Sequence, residues 1–438
     1  MSNAPQIAII GGGYAGMAAA VTLAERSLPV TVYEAGSVPG GRARRVEIDN
    51  VTLDNGLHIL IGAYHETLRL IAQVQGDSPN STKALLRMPL DWHMLGKLHL
   101  TAPAWPAPLH LLAALLRAQG PSWGERFAAI RMMQSLRRAG FQLKQDTSVD
   151  TLLAEHHQGA VLTEYLWRPL CVSALNTPPE IASAQVFLNV LRDGLNASRA
   201  DSELIISRVD LSALFPEPAA QYVRARGGTM QPQCRVNAIE RCSNGFSITH
   251  SGGQAEFTHV ICALPPHQVG AFTQNLLPEL SKVMDAFDYQ PITSVWLQFE
   301  GRVSLPGPML GLSGGVAQWV FDREAICQQP GLLGVVISAS GEYRELPQDT
   351  LATRVQDELT QHFGPLPALK WRRVITEKRA TFSAVPGLQR PPQKTVLPNF
   401  WLAGDYTASD YPATIESAVR SGITCAQGIL ASATAAAL

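Results

Sequence analysis

Gly11, Gly13 and Gly16 stand in the spacing G-x-G-x-x-G within "IAIIGGGYAGMAAAVTLAERSLPVTVYEA" (7–35), and Glu34 follows 18 residues after the last of them. That set can hold a dinucleotide. The first glycine allows a tight turn, the second lets a pyrophosphate approach bare backbone, and the third lets helix and strand touch. A carboxylate at the end of the next strand is placed to accept hydrogen bonds from an adenosine ribose. Glu rather than Arg at that place disfavours a 2′-phosphate, so NADP is not the expected ligand. The positioning elements can be read beside the motif. An apolar run at residues 7–10 reads as a strand, and a helix follows from about Tyr14 to Arg26. The helix aims its unpaired N–H groups and positive dipole end at the phosphates.

The whole chain has 438 residues, which points to two or three domains. Apolar residues make up 46% and charged residues 16%, a globular composition. A net charge of −1 supplies no overall field for nucleic acid, and none is expected as a partner. Six scattered cysteines form no C-x-x-C pair and sit near no His at metal spacing, so reduced thiols and no metal site are expected. The first strand begins almost at once, which leaves no room for a signal peptide. No run of about 18 apolar residues is present, so no bilayer-spanning segment is expected. The expected location is cytoplasmic.

Residues 1–62 read as one nucleotide-binding segment. Residues 63–200 read as helical, because apolar residues recur at three and four in "ETLRLIAQVQG", "LHLLAALLRAQG", "GERFAAIRMMQSLRRAG", "SVDTLLAEH", "AVLTEYLWRPLCVSAL" and "ASAQVFLNVLRDGL". Residues 201–265 return to the nucleotide-binding part, with a hairpin expected around Gly252-Gly253 and a buried strand stopped by Pro265-Pro266. Residues 266–395 carry alternating strands ("SVWLQFE", "GLLGVVISAS") and a helix between Pro347 and Gly364. Residues 396–438 close the chain with "NFWLAGD" and a helix from about Thr414 to Ala431. The nucleotide-type segments lie at both ends with other material inserted, which favours a flavoprotein over a nicotinamide dehydrogenase.

Three further segments carry a resemblance: "PGGRARR" (39–45), "LDNGLHILIGAYHET" (53–67) and "NFWLAGDYTASDYPATIESAVRSG" (399–422). Along essentially its full length the chain resembles the FAD-dependent amine oxidase and phytoene desaturase superfamily. The resemblance implies an α/β fold: a Rossmann-like FAD-binding domain of the glutathione-reductase type, with an inserted substrate domain of mixed β-sheet and helices. It implies non-covalent FAD held by Gly11, Gly13, Gly16 and Glu34, by Gly41 and Arg42 of the Gly-Gly-Arg turn, and by Val236 at the adenine. Gly404 and Asp405 would hold the ribityl chain, and Thr414 and Ile415 would open a helix onto the flavin pyrimidine. A linking cysteine is missing from "YTASDY".

Within the superfamily, "LWRPLCVSALNTPPEIASAQVFLNVLRDGL" (166–195), "DNGLHILIGAYHET" and "GDYTASDYPATIESAVRSG" resemble the squalene-associated FAD-dependent desaturases, understood as hydroxysqualene dehydroxylases. One departure from the wider superfamily is Ser417 in place of a frequent Gly after Glu416. The resemblance implies reduction of hydroxysqualene to squalene in squalene and hopanoid synthesis. Three alternatives stand beside it. Amine oxidation is disfavoured by Ser294, which falls where amine oxidases keep a lysine. A carotenoid desaturase shares the cofactor and an apolar substrate, and the residues alone do not fix the direction of hydride movement. A non-catalytic FAD-binding module is the third. No second nicotinamide motif is evident, so the electron donor is left open.

Loss of hydroxide from an allylic carbinol needs an apolar, water-poor tunnel, a carbinol carbon close to the hydride donor, and help for the departing oxygen. His58 could donate a proton, Asp54 could orient a neighbour, and Asn176 could bind the hydroxyl; Tyr406 and Tyr411 are weaker acids nearby. An insoluble substrate also suggests access from a membrane. "AWPAPLHLLAALLRAQG" suits an interfacial helix, and between Lys97 and Lys144 seven cations face Glu125 alone. Peripheral association with the inner face of the cell membrane is therefore expected.

Overall fold

The computed structural model describes residues 5–78, 82–196 and 198–436. Five parallel strands form the central sheet, in the order Thr229–Gln231, Val30–Tyr33, Ile7–Ile10, His259–Cys262, Phe400–Leu402. The strand Ile7–Ile10 is buried throughout, as a parallel strand covered on both faces must be. The chain leaves this sheet and returns to it twice, so everything between the strands is inserted. On one face the opening helix Tyr14–Glu25 packs against the closing helix Ile415–Ala436. The approach is close enough to require glycine: a Cβ on Gly422 would lie 2.1 Å from the Ala15 carbonyl oxygen.

The second sheet has seven strands, in the order Leu369–Phe382, Tyr289–Phe299, Leu332–Ser338, Trp319–Asp322, Met309–Gly311, Asp91–Met94, Leu98–Thr101. All pairings are antiparallel except the one between Gly311 and Met94. Side chains alternate between its faces. Val320, Val335 and Ile337 join the apolar cluster under the helix Gln348–Phe363. Trp319, Phe321 and Val336 point the other way, into the core between the two sheets, where they line a cavity. The hairpin expected around Gly252-Gly253 joins Gly245–His250 to Gly253–Phe257.

The helical reading of 63–200 is corrected in one stretch. Leu85–Met88, Asp91–Met94 and Leu98–Thr101 are strands. Their apolar residues recur at two, not at three and four: Trp92, Met94, Leu98 and Leu100 are buried while Asp91 and Thr101 are exposed. Pro89 and Gly96 break the runs before a helix could form. The remaining helices are present, including Leu109–Arg117, Trp123–Arg138, Arg168–Leu175 and Ala184–Leu191.

Candidate active site

A cavity of about 890 Å³ runs between the parallel sheet and the seven-stranded sheet. Its phosphate-like end is built from glycine. Gly11 has φ +110°, and a Cβ there would lie 2.7 Å from the Ala263 carbonyl oxygen. Gly13 caps the helix without a side chain and forms a bridge with Gly40, and Gly13 and Gly41 present bare backbone to the cavity. The first-turn N–H groups of the helix thus meet an open face. Gly16 lines nothing; a Cβ on it would stand 2.0 Å from the Gly11 carbonyl oxygen, so it keeps helix and strand in contact.

Glu34 ends its strand at the cavity wall. Its carboxylate accepts from the Gly12 amide (2.8 Å) and the Gly36 amide (2.6 Å), which fixes the acid against the glycine turn. Val236 and Arg235 line the same end. Farther along, Arg42 donates to Asp405 (2.6 Å) and to the Ala380 carbonyl. Burial works against the guanidinium charge, but Asp405 outweighs it and holds the Arg42 pKa above its ordinary value. Arg42 therefore ties the Gly-Gly-Arg turn to the Gly404-Asp405 segment and to the long strand Leu369–Phe382. The closing helix begins beside them. Thr414 accepts from the Ser417 amide (3.1 Å) as its cap, and Thr414 and Ile415 line the cavity. Ser417 replaces the frequent glycine without disturbing this arrangement, since its hydroxyl donates to the Asp405 carbonyl (3.3 Å).

The three proposed catalytic residues fare differently. His58 lines the cavity, with Nδ1 2.8 Å from the Gly56 carbonyl oxygen. The carbonyl requires Nδ1 to carry the proton, and burial lowers the ring's pKa. Burial thus favours the neutral form of His58, with Nδ1 engaged at the Gly56 carbonyl. Asp54 is buried behind the cavity wall and accepts from the Leu211 amide (2.7 Å). Burial pushes its carboxyl up to about 7. It anchors the turn Leu211–Leu214, whose Leu211 carbonyl accepts from the hydroxyl of the cavity-lining Tyr14 (2.9 Å). Asn176 lines the cavity, but its amide is committed. It donates to Thr381 Oγ1 (2.9 Å) and accepts from the Ala339 amide (2.6 Å). It stitches the end of Arg168–Leu175 to the seven-stranded sheet rather than offering a donor to a hydroxyl.

Tyr406 is buried against the cavity, and its hydroxyl has no hydrogen-bond partner among the described residues. Tyr411 lies under the Arg420 guanidinium, outside the cavity lining. Burial raises the pKa of both phenols, which makes them weak acids. Ser294 is buried in the strand Tyr289–Phe299, and its hydroxyl also lacks a partner among the described residues.

Two parts of the site were not anticipated as such from the sequence. The first is Arg390, whose guanidinium donates to the carbonyls of Asp405, Tyr406, Ser409 and Tyr411 and clamps that loop in shape. The second is an apolar part of the same lining, with Leu57, Ile292, Trp319, Phe321 and Val336. Trp319 is held by its N–H to Ser173 (3.0 Å). Alternating apolar residues in "WVFD" and "LLGVVIS" were the available signal for this part.

A parallel sheet returning at both chain ends, a glycine cradle at a helix start, and a second helix start at the far end of one cavity together define a dinucleotide-dependent oxidoreductase. Residues 14–430 match the family described as flavin containing amine oxidoreductase, and the chain belongs to that family. It is a flavin-dependent enzyme.

A hydroxysqualene dehydroxylase from Rhodopseudomonas palustris is 29% identical, over 97% of this chain and 98% of its own. One from Zymomonas mobilis is 28% identical, over 95% of this chain and 97% of its own. A 15-cis-phytoene desaturase from Synechococcus elongatus is 25% identical, over 97% of this chain and 96% of its own. In fold the chain is similar to cyclohexylamine oxidase from Brevibacterium oxydans, with a TM-score of 0.70 at 17% identity over 97% of this chain and 98% of that one.

The cavity residues fit such a cofactor. Glu34 and Val236 stand at one end, the cradle of Gly13 and Gly41 in the middle, and the start of the closing helix with the Tyr406 hydroxyl, which has no partner among the described residues, at the other.

Proposed function

We propose that this chain reduces hydroxysqualene to squalene, using FAD held without a covalent link. Glu34 and Val236 would hold the adenosine, Gly11, Gly13, Gly41 and Arg42 the pyrophosphate, and Gly404, Asp405, Thr414 and Ile415 the ribityl and flavin end. The observation that carries the reading is the apolar part of the cavity lining, Leu57, Ile292, Trp319, Phe321 and Val336, in the same cavity as the glycine cradle and His58. The two dehydroxylase relatives, alike over nearly their whole length, supply the substrate class.

Bound and reduced, FAD supplies a hydride. In the net reaction the carbinol C–O bond would give way to a C–H bond, and the departing oxygen would take one proton to leave as water. The chain's own residues prepare this event. Leu57, Trp319, Phe321 and Val336 exclude water from the cationic carbon. The His58 Nε2 lone pair accepts from the carbinol O–H and so orients the C–O bond, and a solvent proton completes the water. An external two-electron reductant must restore the flavin.

The non-covalent link is supported at the cavity wall, where Cys234 is the thiol among the described lining residues. It stands beside Val236, 3.2 Å from His250 Nδ1, far along the chain from the Gly404-Asp405 end. Denaturation with acid should release intact FAD into the supernatant. The substrate is tested by supplying hydroxysqualene, squalene and phytoene in detergent with oxidised and reduced protein, followed by mass analysis of the extracts. Squalene formed from hydroxysqualene by the reduced protein supports the reading. Conversion of phytoene by the oxidised protein would replace it with desaturation.

A further inference from the structure

Eight large apolar side chains stand exposed among the described residues, and five of them fall within residues 105–127: Trp105, Leu109, Leu112, Trp123 and Phe127. Trp123 is 60% exposed and Phe127 53%. They sit on two neighbouring helices, Leu109–Arg117 and Trp123–Arg138, and on the turn before the first. Arg126 makes one unit of this pair. It donates to the Leu116, Ala118 and Pro121 carbonyls while its guanidinium lies 4.5 Å from the Trp123 ring. Arg117 covers Trp105 in the same way, at 5.2 Å.

The charge along residues 97–144 is one-sided. Trp123, Phe127 and Arg131 follow at four-residue spacing and share a stripe of the helix, with Arg138 two turns beyond Arg131. Arg131, Arg137, Arg138 and Lys144 are exposed. The one acid of the region, Glu125, is turned inward to the Ser122 and Val161 amides.

The geometry points to an anionic phospholipid bilayer as the surface that this patch docks on. Tryptophan and phenylalanine enter the boundary between headgroups and acyl chains, and arginines around them meet lipid phosphates. A second copy of the chain fits less well, because a two-fold contact would bring the same arginines face to face. The patch also belongs to the substrate side of the fold. Its first helix follows the edge strand Leu98–Thr101 and is tied to it by the His99–Gln119 bridge. On the next strand Trp92 packs edge-on against the cavity wall at Trp319, with ring centroids 4.9 Å apart.

The test is co-sedimentation of the flavin-loaded protein with vesicles of phosphatidylglycerol and phosphatidylcholine, against vesicles of phosphatidylcholine alone. The wild type should sediment with the anionic vesicles and be released by salt. The double variant Trp123→Ser, Phe127→Ser and the double variant Arg131→Glu, Arg138→Glu should each lose about tenfold or more in partitioning. Both should keep the wild-type flavin absorbance, since none of these residues lines the cavity. Failure of the wild type to bind anionic vesicles overturns the inference, as does unchanged binding of both variants. A wild-type dimer that the aromatic variant turns into a monomer would assign the patch to a second copy instead. Binding is read without turnover, so its failure leaves the proposed reaction standing.

Discussion

His58 and Asp54 lie four residues apart, and burial changes each in the opposite sense. Burial lowers the pKa of the imidazole and so favours its neutral, acceptor form. His58→Phe should lower kcat on hydroxysqualene by about tenfold to a hundredfold while the flavin spectrum stays as in the wild type. The wild-type rate should be flat above pH 7 and fall only where the ring protonates, below its ordinary value of about 6.5. An unchanged rate in the variant would remove His58 from the mechanism. Asp54 makes a separate prediction about stability. Its folded pKa lies near 7, above the unfolded value, so the native state binds the extra proton between those limits. Stability is therefore lost as pH rises from about 4 to 7, at up to about 1.4 kcal/mol per pH unit. Asp54→Asn keeps an oxygen acceptor for the Leu211 amide without the charge. Its margin in melting temperature over the wild type should be larger at pH 8 than at pH 5; an equal margin at both pH values would contradict this. The glycines and Glu34 were legible in sequence because their chemistry is local, set by spacing within one turn. Asn176 was misread for the opposite reason: its partners Thr381 and Ala339 are more than a hundred and sixty residues away.

At the level of elements, the glycine-to-helix unit and the closing helix followed the sequence pattern, each within a few residues of its expected bounds. The long strand Leu369–Phe382 was not anticipated. Its charges interrupt the apolar alternation, and it is held by pairing with Tyr289–Phe299, a partner that local sequence does not reveal. The three short strands between Leu85 and Thr101 were absorbed into a helical region because their period of two is spread over short, broken runs. The contact between the opening and closing helices shows what element packing requires. Gly422→Ala would push a methyl group into the Ala15 carbonyl and force the helices apart. The expected cost is about 1–3 kcal/mol, with weaker flavin retention because the start of the closing helix moves with it. Thermal unfolding and the flavin-to-protein absorbance ratio after desalting check this, and a variant that equals the wild type in both would show that the helices have slack.

For the whole molecule, the site is made by return. The cradle comes from the first segment, the wall at Val236 from the middle, and the helix start from the last, and the salt bridge of Arg42 to Asp405 joins the first to the last across 363 residues. The resemblance reached this arrangement because it spans all three segments. The apolar part of the cavity lining was beyond it, since its residues come from strands that meet only in the folded sheet. Glu416 illustrates the same closure: fully buried, it accepts from the Glu66 and Thr67 amides and locks the last helix onto the helix His65–Gln75. The account as a whole rests on hydride leaving the flavin for the carbinol carbon. The direct measurement is an anaerobic single turnover: the protein is reduced with dithionite, mixed with hydroxysqualene in detergent, and followed by flavin absorbance with extraction of the lipid. Reoxidation of the flavin with squalene formed in equal amount is the predicted result. A flavin that stays reduced, with hydroxysqualene recovered intact, would contradict the account.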